Sequence, residues 1–482
     1  MGKLLLLLII PLLSFTQDFE SNLPIILINT NGYEILDETR IISDMDVIYK
    51  PKGKNTLLDF SNNYNGKISI ELRGSSSQEL FPKKSYSLET QTINGENNNV
   101  SLLDLPEEND WILYGAYSDK TLLRNNLTYF LSRQMGHYAP RTKYCELFLN
   151  NEYQGVYMLT EKIKRDKNRV NIKKFEDGDL TGGYIIKIDK LTDAPPNASW
   201  CSNFTNFNNH PICFQYHYPK ADEITVEQKI YIENYMNLIN QSMNELSEKQ
   251  THIDMIENIN FDSFIDYLII SELSKNVDGY RLSTFLYKDS DEHNGKLNMG
   301  PVWDYNLSFG NVDFCQSSKI NGWVLEEETA CRGSIPSFWY NLLKNDSFTK
   351  RLTNRWGELR TSVLSFDNIF NHIDSVGQYL NSAQSRNFEL WDILDSYVWP
   401  NYQLGVTYQD ELNFLKYWIY NRVTWIDDNI SNFRTIFPDC SSSEKKLVQI
   451  INQLGQATTA NKNEILFYIY DNGCVERNFI TY

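Results

Sequence analysis

The chain has 482 residues, 41% of them hydrophobic, and a formal net charge of −17. A nucleic-acid binder needs a basic face to displace counterions, so this balance argues for no nucleic-acid partner, while the length suits a two-lobed unit with a short terminal module. Six scattered histidines and no C-x-x-C pair argue against a zinc enzyme.

Residues 1–17, MGKLLLLLIIPLLSFTQ, place one lysine before an apolar run and then small and polar residues, the layout of a secretory signal peptide. The run is too short to span a bilayer comfortably, and no later stretch approaches the roughly 18 continuous apolar residues of a spanning helix. The mature chain is therefore expected to be exported, with no transmembrane anchor. Residues 22–175 read as a β-rich half. Within it Ile68, Ile70 and Leu72 alternate with Ser69 and Glu71 as in a half-buried strand, and Arg73-Gly74-Ser75-Ser76-Ser77 breaks the alternation with small residues. Such a loop leaves N–H groups and hydroxyls free to cradle phosphates, with Arg73, Lys83 and Lys84 close by. An ordinary hairpin turn with solvated lysines is the plainer reading.

Further along, Leu122, Leu123, Leu127, Phe130 and Leu131 recur at helical spacing, which predicts an amphipathic helix with Arg124 on its polar side as structural support. Cys145, Leu147 and Leu149 alternate into the turn Asn150-Asn151, and Val156 and Met158 lie on a return strand that runs to Glu161-Lys162. Adjacent strand residues face opposite ways, so Lys162 and Glu161 cannot both serve one cleft without a bulge. The sequence 182–190, GGYIIKIDK, reads as a strand entering the cleft region, and 197–213 as a long surface loop.

Residues 176–438 read as a mainly helical half, with apolar residues at i, i+3 and i+4 in 224–273 and again in 336–437. Inside it, STFLYK (283–288) and KLNMGPVW (296–303) flank the turn residues DSDEHNG and predict a hairpin. Asp278 and Asp304 would then share one end of that hairpin. Two loop-placed carboxylates suit phosphoryl transfer, where one orients and deprotonates the acceptor hydroxyl and the other holds a metal ion.

Seven cysteines in an exported chain suggest disulfides. Sequence leaves the pairing open, with the local pairs Cys201–Cys213 and Cys315–Cys331 as first choice and Cys145 as a free core thiol. Residues 444–482 read as short strands around turn signals after a polar linker.

Four blocks carry a family resemblance: ISIELRGSSSQELFPKKSYSLET (68–90), DWILYGAYSDKTLLRNNLTYFL (110–131), YCELFLNNEYQGVYMLTEKIKRDKNRVNI (144–172) and the stretch 276–310 with GPVWDYN at its centre. They fall in the order expected of the spore-coat CotH kinase family, which the chain resembles from about 68 to 310. The resemblance implies an α+β, bilobal, atypical protein-kinase-like fold with a β-rich N-lobe and a mainly helical C-lobe. It implies transfer of the γ-phosphoryl group of ATP, with Mg2+ or Mn2+, to a Ser or Thr hydroxyl of a protein substrate. Asp278 then resembles the catalytic base, and Asp304, with Asn306, the metal ligands. Lys162 takes the place of the kinase lysine, and Arg73, Ser75 and Ser76 that of a phosphate-binding loop.

One position departs from the kinase pattern. Kinases carry Asn five residues after the catalytic Asp as a second metal ligand, and here Ser283 stands there. Either Asn306 supplies the missing oxygen or a single metal binds tightly, and a catalytically inactive surface protein acting as an adhesin or binding module is the alternative function. The C-terminal segment resembles the sorting domain of type IX secretion substrates, through Gly455, Gln456, Tyr468, Tyr470, Asp471, Asn472, Gly473, Val475, Glu476 and Arg477. That likeness implies the type IX secretion machinery as a partner and a secreted or cell-surface location.

Overall fold

The computed structural model describes residues 19–479 except 177, 193–194, 327–329, 434–445, 453–455, 460–464 and 471–474. The expected signal peptide and part of the sorting-domain pattern lie outside the described residues.

The N-terminal half runs β1 (Glu20–Ser21), β2 (Ile25–Asn29), β3 (Ile41–Ile48), β4 (Asn55–Thr56), β5 (Tyr64–Arg73), α1 (Ser76–Leu80), β6 (Ser85–Gln91), β7 (Asp110–Tyr114), α2 (Arg124–Gln134), β8 (Thr142–Leu149) and β9 (Glu152–Glu161). Seven of these strands close into a barrel in the order β2-β3-β5-β6-β7-β9-β8, while β1 pairs with β4. The parallel pair β2·β8 completes the ring, with Ile25 opposite Glu146. Alternation dictates the filling: Ile26, Ile28, Val47, Ile68, Ile70, Leu88, Leu113, Leu147 and Leu159 all point into one buried core. Cys145 joins that core as a free thiol.

The C-terminal half begins with β10 (Tyr184–Ile188), β11 (Ser199–Thr205), β12 (Pro211–Tyr218), α3 (Val226–Lys249), α4 (Phe261–Ser274), β13 (Thr284–Lys288) and β14 (Leu297–Met299). Helices follow: α5 (Ala330–Gly333), α6 (Phe338–Lys344), α7 (Asp346–Arg360), α8 (Phe366–Leu390) and α9 (Tyr408–Asn429). The protein is thus a mixed α+β chain, β-rich in its N-terminal part and helical in its C-terminal part. The strands of the C-terminal half form a second, five-stranded sheet, ordered β11-β12-β10-β13-β14.

Two expectations are corrected here. Residues 197–213, read as a surface loop, form most of the β11–β12 hairpin, in which Cys201 and Cys213 face each other and are bonded. Their polar, Asn-rich sequence hides the strand signal because the cross-strand disulfide supplies part of what apolar packing supplies elsewhere. The second bond is Cys315–Cys331. Helix α2, read as amphipathic, is buried on almost every side, including Arg124, Asn125, Asn126 and Thr128. Its polar residues bond neighbouring parts of the chain instead of facing water: Arg124 and Asn125 hold a loop, and Asn126 meets Thr142 of β8 and His372 of α8.

Helix α4 is buried at every position but Asp262 and is the spine on which α7, α9 and β14 pack. Helix α8 reaches back to the barrel. There Asn387 Oδ1 accepts from Lys83 Nζ at 2.7 Å and from the Val156 amide at 3.1 Å, and Trp391 Nε1 donates to the Gln154 carbonyl at 3.0 Å. Gly155 sits between them at φ +94°, where a Cβ would lie 2.6 Å from Asn387 Oδ1. At the C-terminal end β15 (Leu447–Ile451), β16 (Ile465–Tyr470) and β17 (Val475–Phe479) form a small antiparallel sheet. Among the described residues no helix is long and apolar enough to cross a membrane.

Candidate active site

The strand order of the second sheet gathers three carboxylates at one edge. In register, Ile188 at the end of β10 lies opposite Thr284 at the start of β13, and Leu286 lies opposite Met299 at the end of β14. Asp189 follows β10, Asp278 precedes β13 and Asp304 follows β14. All three line a cavity of about 510 Å³, within the roughly 300–1,000 Å³ typical of small-molecule sites.

The barrel forms the facing wall. Arg73 at the end of β5, the turn 74–77, Ser85, Tyr114, Met158 and Thr160 line the same cavity. Gly74 is at φ +112°, and a Cβ there would fall 2.2 Å from Ser77 Oγ, so the turn requires glycine. The Arg73 guanidinium lies 5.3 Å from the Trp303 ring centroid, and that ring stacks on Tyr129 at 5.9 Å. Lys84 is committed to the helix α1 that follows the turn, donating to the carbonyls of Gln78 and Phe81. Lys190 spans the two walls and donates to Ser76 Oγ at 3.0 Å.

Backbone conformation in the aspartate loops is unusual. Tyr280 (φ +71°), Ser283 (φ +49°) and Asp304 (φ +64°) all occupy the left-handed region that non-glycine residues avoid. Strain of this kind costs about 1–3 kcal/mol per residue and persists where surrounding contacts enforce it. Asn276 supplies one such contact for both loops: its Oδ1 accepts the Asp278 N–H at 3.3 Å, and its Nδ2 donates to the Asp304 carbonyl at 3.5 Å. Helix α2 supplies the rest. Asn125 Oδ1 accepts the Tyr305 N–H at 2.6 Å, and Arg124 Nε donates to the Ser308 carbonyl at 3.0 Å while its Nη1 pairs with Asp119 at 2.6 Å.

Electrostatics distinguishes the two central acids. Burial pushes the Asp304 carboxyl up to about 7, and the neighbouring Asp278 and Asp189 charges push the same way against Arg73 and Lys190. Its carboxylate oxygens have no hydrogen-bond partner among the described residues. Burial also raises Asp278, opposed first by Arg281, whose Nη2 lies 2.8 Å from Asp278 Oδ1. Lys83, sealed against Val156 and Asn387, is pulled down to about 7 by burial, with Glu146 opposing.

Of the residues singled out from sequence, the structure brings Asp278, Asp304, Asn306, Arg73, Ser75 and Ser76 to one cavity, with Ser283 beside them. It does not bring Lys162 there. Beyond Glu161 the chain leaves the barrel, and Lys162 Nζ turns to Asp110 Oδ1 at 3.3 Å. Glu161 is buried and pairs with Arg141 at 2.9 Å. Of the basic residues that follow, Lys164 bonds Asp110 and Glu108 and Arg169 is buried over Trp111, while Lys167 stays exposed. The cations that do line the cavity beside Arg73 and Lys83 are Lys187 and Lys190, with Asp189 between them. Sequence held a signal for them, because Ile186 and Ile188 are buried, which leaves Lys187 and Asp189 on the other face of β10. Asn276 gave no such signal, since its role depends on two loops meeting.

A mixed α+β chain with a polar cleft between a barrel and a sheet, carrying paired acids on strained loops, is thus the class that fold and site define. The model of the CotH kinase protein family matches residues 70–426, and the chain belongs to that family. The inner spore coat protein H of Bacillus subtilis (strain 168) is 22% identical over 246 residues, which is 50% of this chain and 59% of that protein. The chain therefore spans less than two thirds of the curated relative it matches.

Proposed function

We propose that the chain is an exported kinase that transfers the γ-phosphoryl group of ATP to a Ser or Thr hydroxyl of a protein. The observation that carries this reading is the convergence of Asp278 and Asp304, from the two strands at one end of a hairpin, on a cavity faced by Arg73 and the turn 74–77. The residues fit a metal–nucleotide pair. Asp304 is an acid whose carboxylate lacks a hydrogen-bond partner among the described residues and whose charge is disfavoured by burial more than Arg73 and Lys190 favour it, so a cation would supply further counter-charge. Asp304 and Asn306 would hold Mg2+ or Mn2+, and Arg73 with Ser75 and Ser76 would meet the phosphates. A bound divalent ion supplies charge neutralisation as the phosphoryl group moves.

Asp278 is the proton acceptor. Arg281 fixes its Oδ1, leaving Oδ2 for the acceptor hydroxyl, and Asn276 sets its distance from the Asp304 loop. Catalysis then rests on positioning and charge stabilisation. In this reading the barrel is the N-lobe of an atypical kinase-like bilobal fold and residues 176–438 form its C-lobe. Residues 1–17 direct export, and 444–482 address the chain to the type IX machinery for secretion or surface attachment.

Asp278→Ala should abolish phosphate transfer while leaving Mg·ATP affinity within about threefold, whereas Asp304→Ala should remove Mg·ATP binding itself. Equal loss of binding in both variants would contradict the roles. The second reading, an inactive surface binder, is favoured by Ser283 at the usual Asn position. A melting midpoint that does not move at millimolar ATP and Mg2+ would select it, because a ligand of the native state must raise that midpoint.

A further inference from the structure

Resting on the kinase reading, we propose that Lys187 is the lysine that meets the nucleotide phosphates together with Arg73, and that Asp189 holds it over the cavity until they arrive. The strand β10 alternates about the sheet: Ile186 and Ile188 are buried, while Lys187 and Asp189 share the cavity face. The Lys187 Nζ lies 2.9 Å from Asp189 Oδ2, and Asp189 Oδ1 accepts the Lys190 N–H at 2.9 Å. One carboxylate thus orients the lysine and pins the turn that carries Lys190 to Ser76.

An ammonium whose ion-pair partner among the described residues is a partly exposed aspartate two residues away can exchange that partner for phosphate oxygens at little cost. Lys162 is placed differently. It leaves the barrel towards Asp110, and Asp110 is shared with Lys164. In the second sheet Lys187 lies opposite Phe285, on the strand that leads away from Asp278. Lys187 is therefore carried by the sheet from which the two acid-bearing loops emerge, and strand pairing fixes its height beside them while Asn276 and α2 hold the loops.

The test is calorimetric titration of the full chain with Mg·ATP and, separately, with adenosine. Lys187→Met should weaken Mg·ATP binding about tenfold or more, the loss expected for one charge-assisted contact, and leave adenosine binding unchanged. Lys187→Arg should recover most of the loss. Lys162→Met should change Mg·ATP affinity by less than about threefold. If the wild-type chain binds Mg·ATP and Lys187→Met binds it equally well, the assignment falls while the functional reading stands. A loss shown by Lys162→Met instead would return the role to the barrel strand. If adenosine binding falls with Mg·ATP binding in Lys187→Met, and Lys187→Arg recovers neither, the lysine is structural and the proposal is overturned. If the wild-type chain binds no Mg·ATP, the functional reading itself fails.

Discussion

Substituting Asn for Asp304 should make the metal-free protein more stable in mildly alkaline solution, at the expense of the activity proposed here. The carboxyl is raised from an ordinary 3.8 to about 7 by burial. Between those values the native chain holds a proton that the unfolded chain has released, so this contribution to stability is complete below about pH 4 and lost as pH rises through 7. The gap corresponds to at most roughly 4 kcal/mol. Asp304 is only partly buried and faces a cavity that water can enter, so screening should bring the effect to about 2 kcal/mol. Asn keeps the shape without the charge. In thermal denaturation with a chelator, Asp304→Asn should melt a few degrees above wild type near pH 8 and level with it near pH 4. Saturating Mg2+ at about a hundredfold its dissociation constant should return about 2.7 kcal/mol to wild type alone and erase the difference. A variant less stable than wild type at both pH values, or a gap independent of pH, would refute the reasoning.

The remaining predictions concern the supports of the site. Arg124→Met breaks a pair in which both side chains are 1% exposed, and should cost about 3–5 kcal/mol; calorimetry should also show weakened Mg2+ binding, because the Ser308 carbonyl loses its donor. Asn276→Ala should leave the fold intact by circular dichroism but lower the rate of transfer about tenfold or more, since it links the Asp278 and Asp304 loops. Gly155→Ala forces a Cβ against Asn387 at φ +94°, and should cost about 1–3 kcal/mol in denaturant unfolding.

Local features were readable where one rule governed them. The alternation of Ile68 and Ile70 predicts β5, the spacing of Leu123, Leu127 and Leu131 predicts α2, and the turn residues after Lys288 predict the β13–β14 hairpin. From that hairpin alone, Asp278 and Asp304 fall at one end. Barrel closure was not readable, because it depends on β2 pairing in parallel with β8, over a hundred residues away, and no local pattern encodes such a pairing. The surroundings of Lys162 were hidden for a related reason: its neighbour Glu161 belongs to the strand, but Lys162 meets Asp110, and Glu108 and Arg169 join the same cluster, which no spacing links to it.

Polar residues on α2 make the same point about the site itself. Arg124 and Asn125 look like a solvent-facing patch when the helix is drawn as amphipathic, yet both are buried, and each bonds the loop that carries Asp304. A buried polar side chain is tolerated only with its partners in place. The block LLRNNL is therefore under two demands at once, filling the interface between the barrel and α4 and satisfying backbone groups of a strained loop. The acid at φ +64° is held by groups from α2 and from Asn276, two separate parts of the chain. A site built this way is preorganised by the packing of the helices around it, so its chemistry should fail through distant substitutions in α2 about as readily as through changes to the acids.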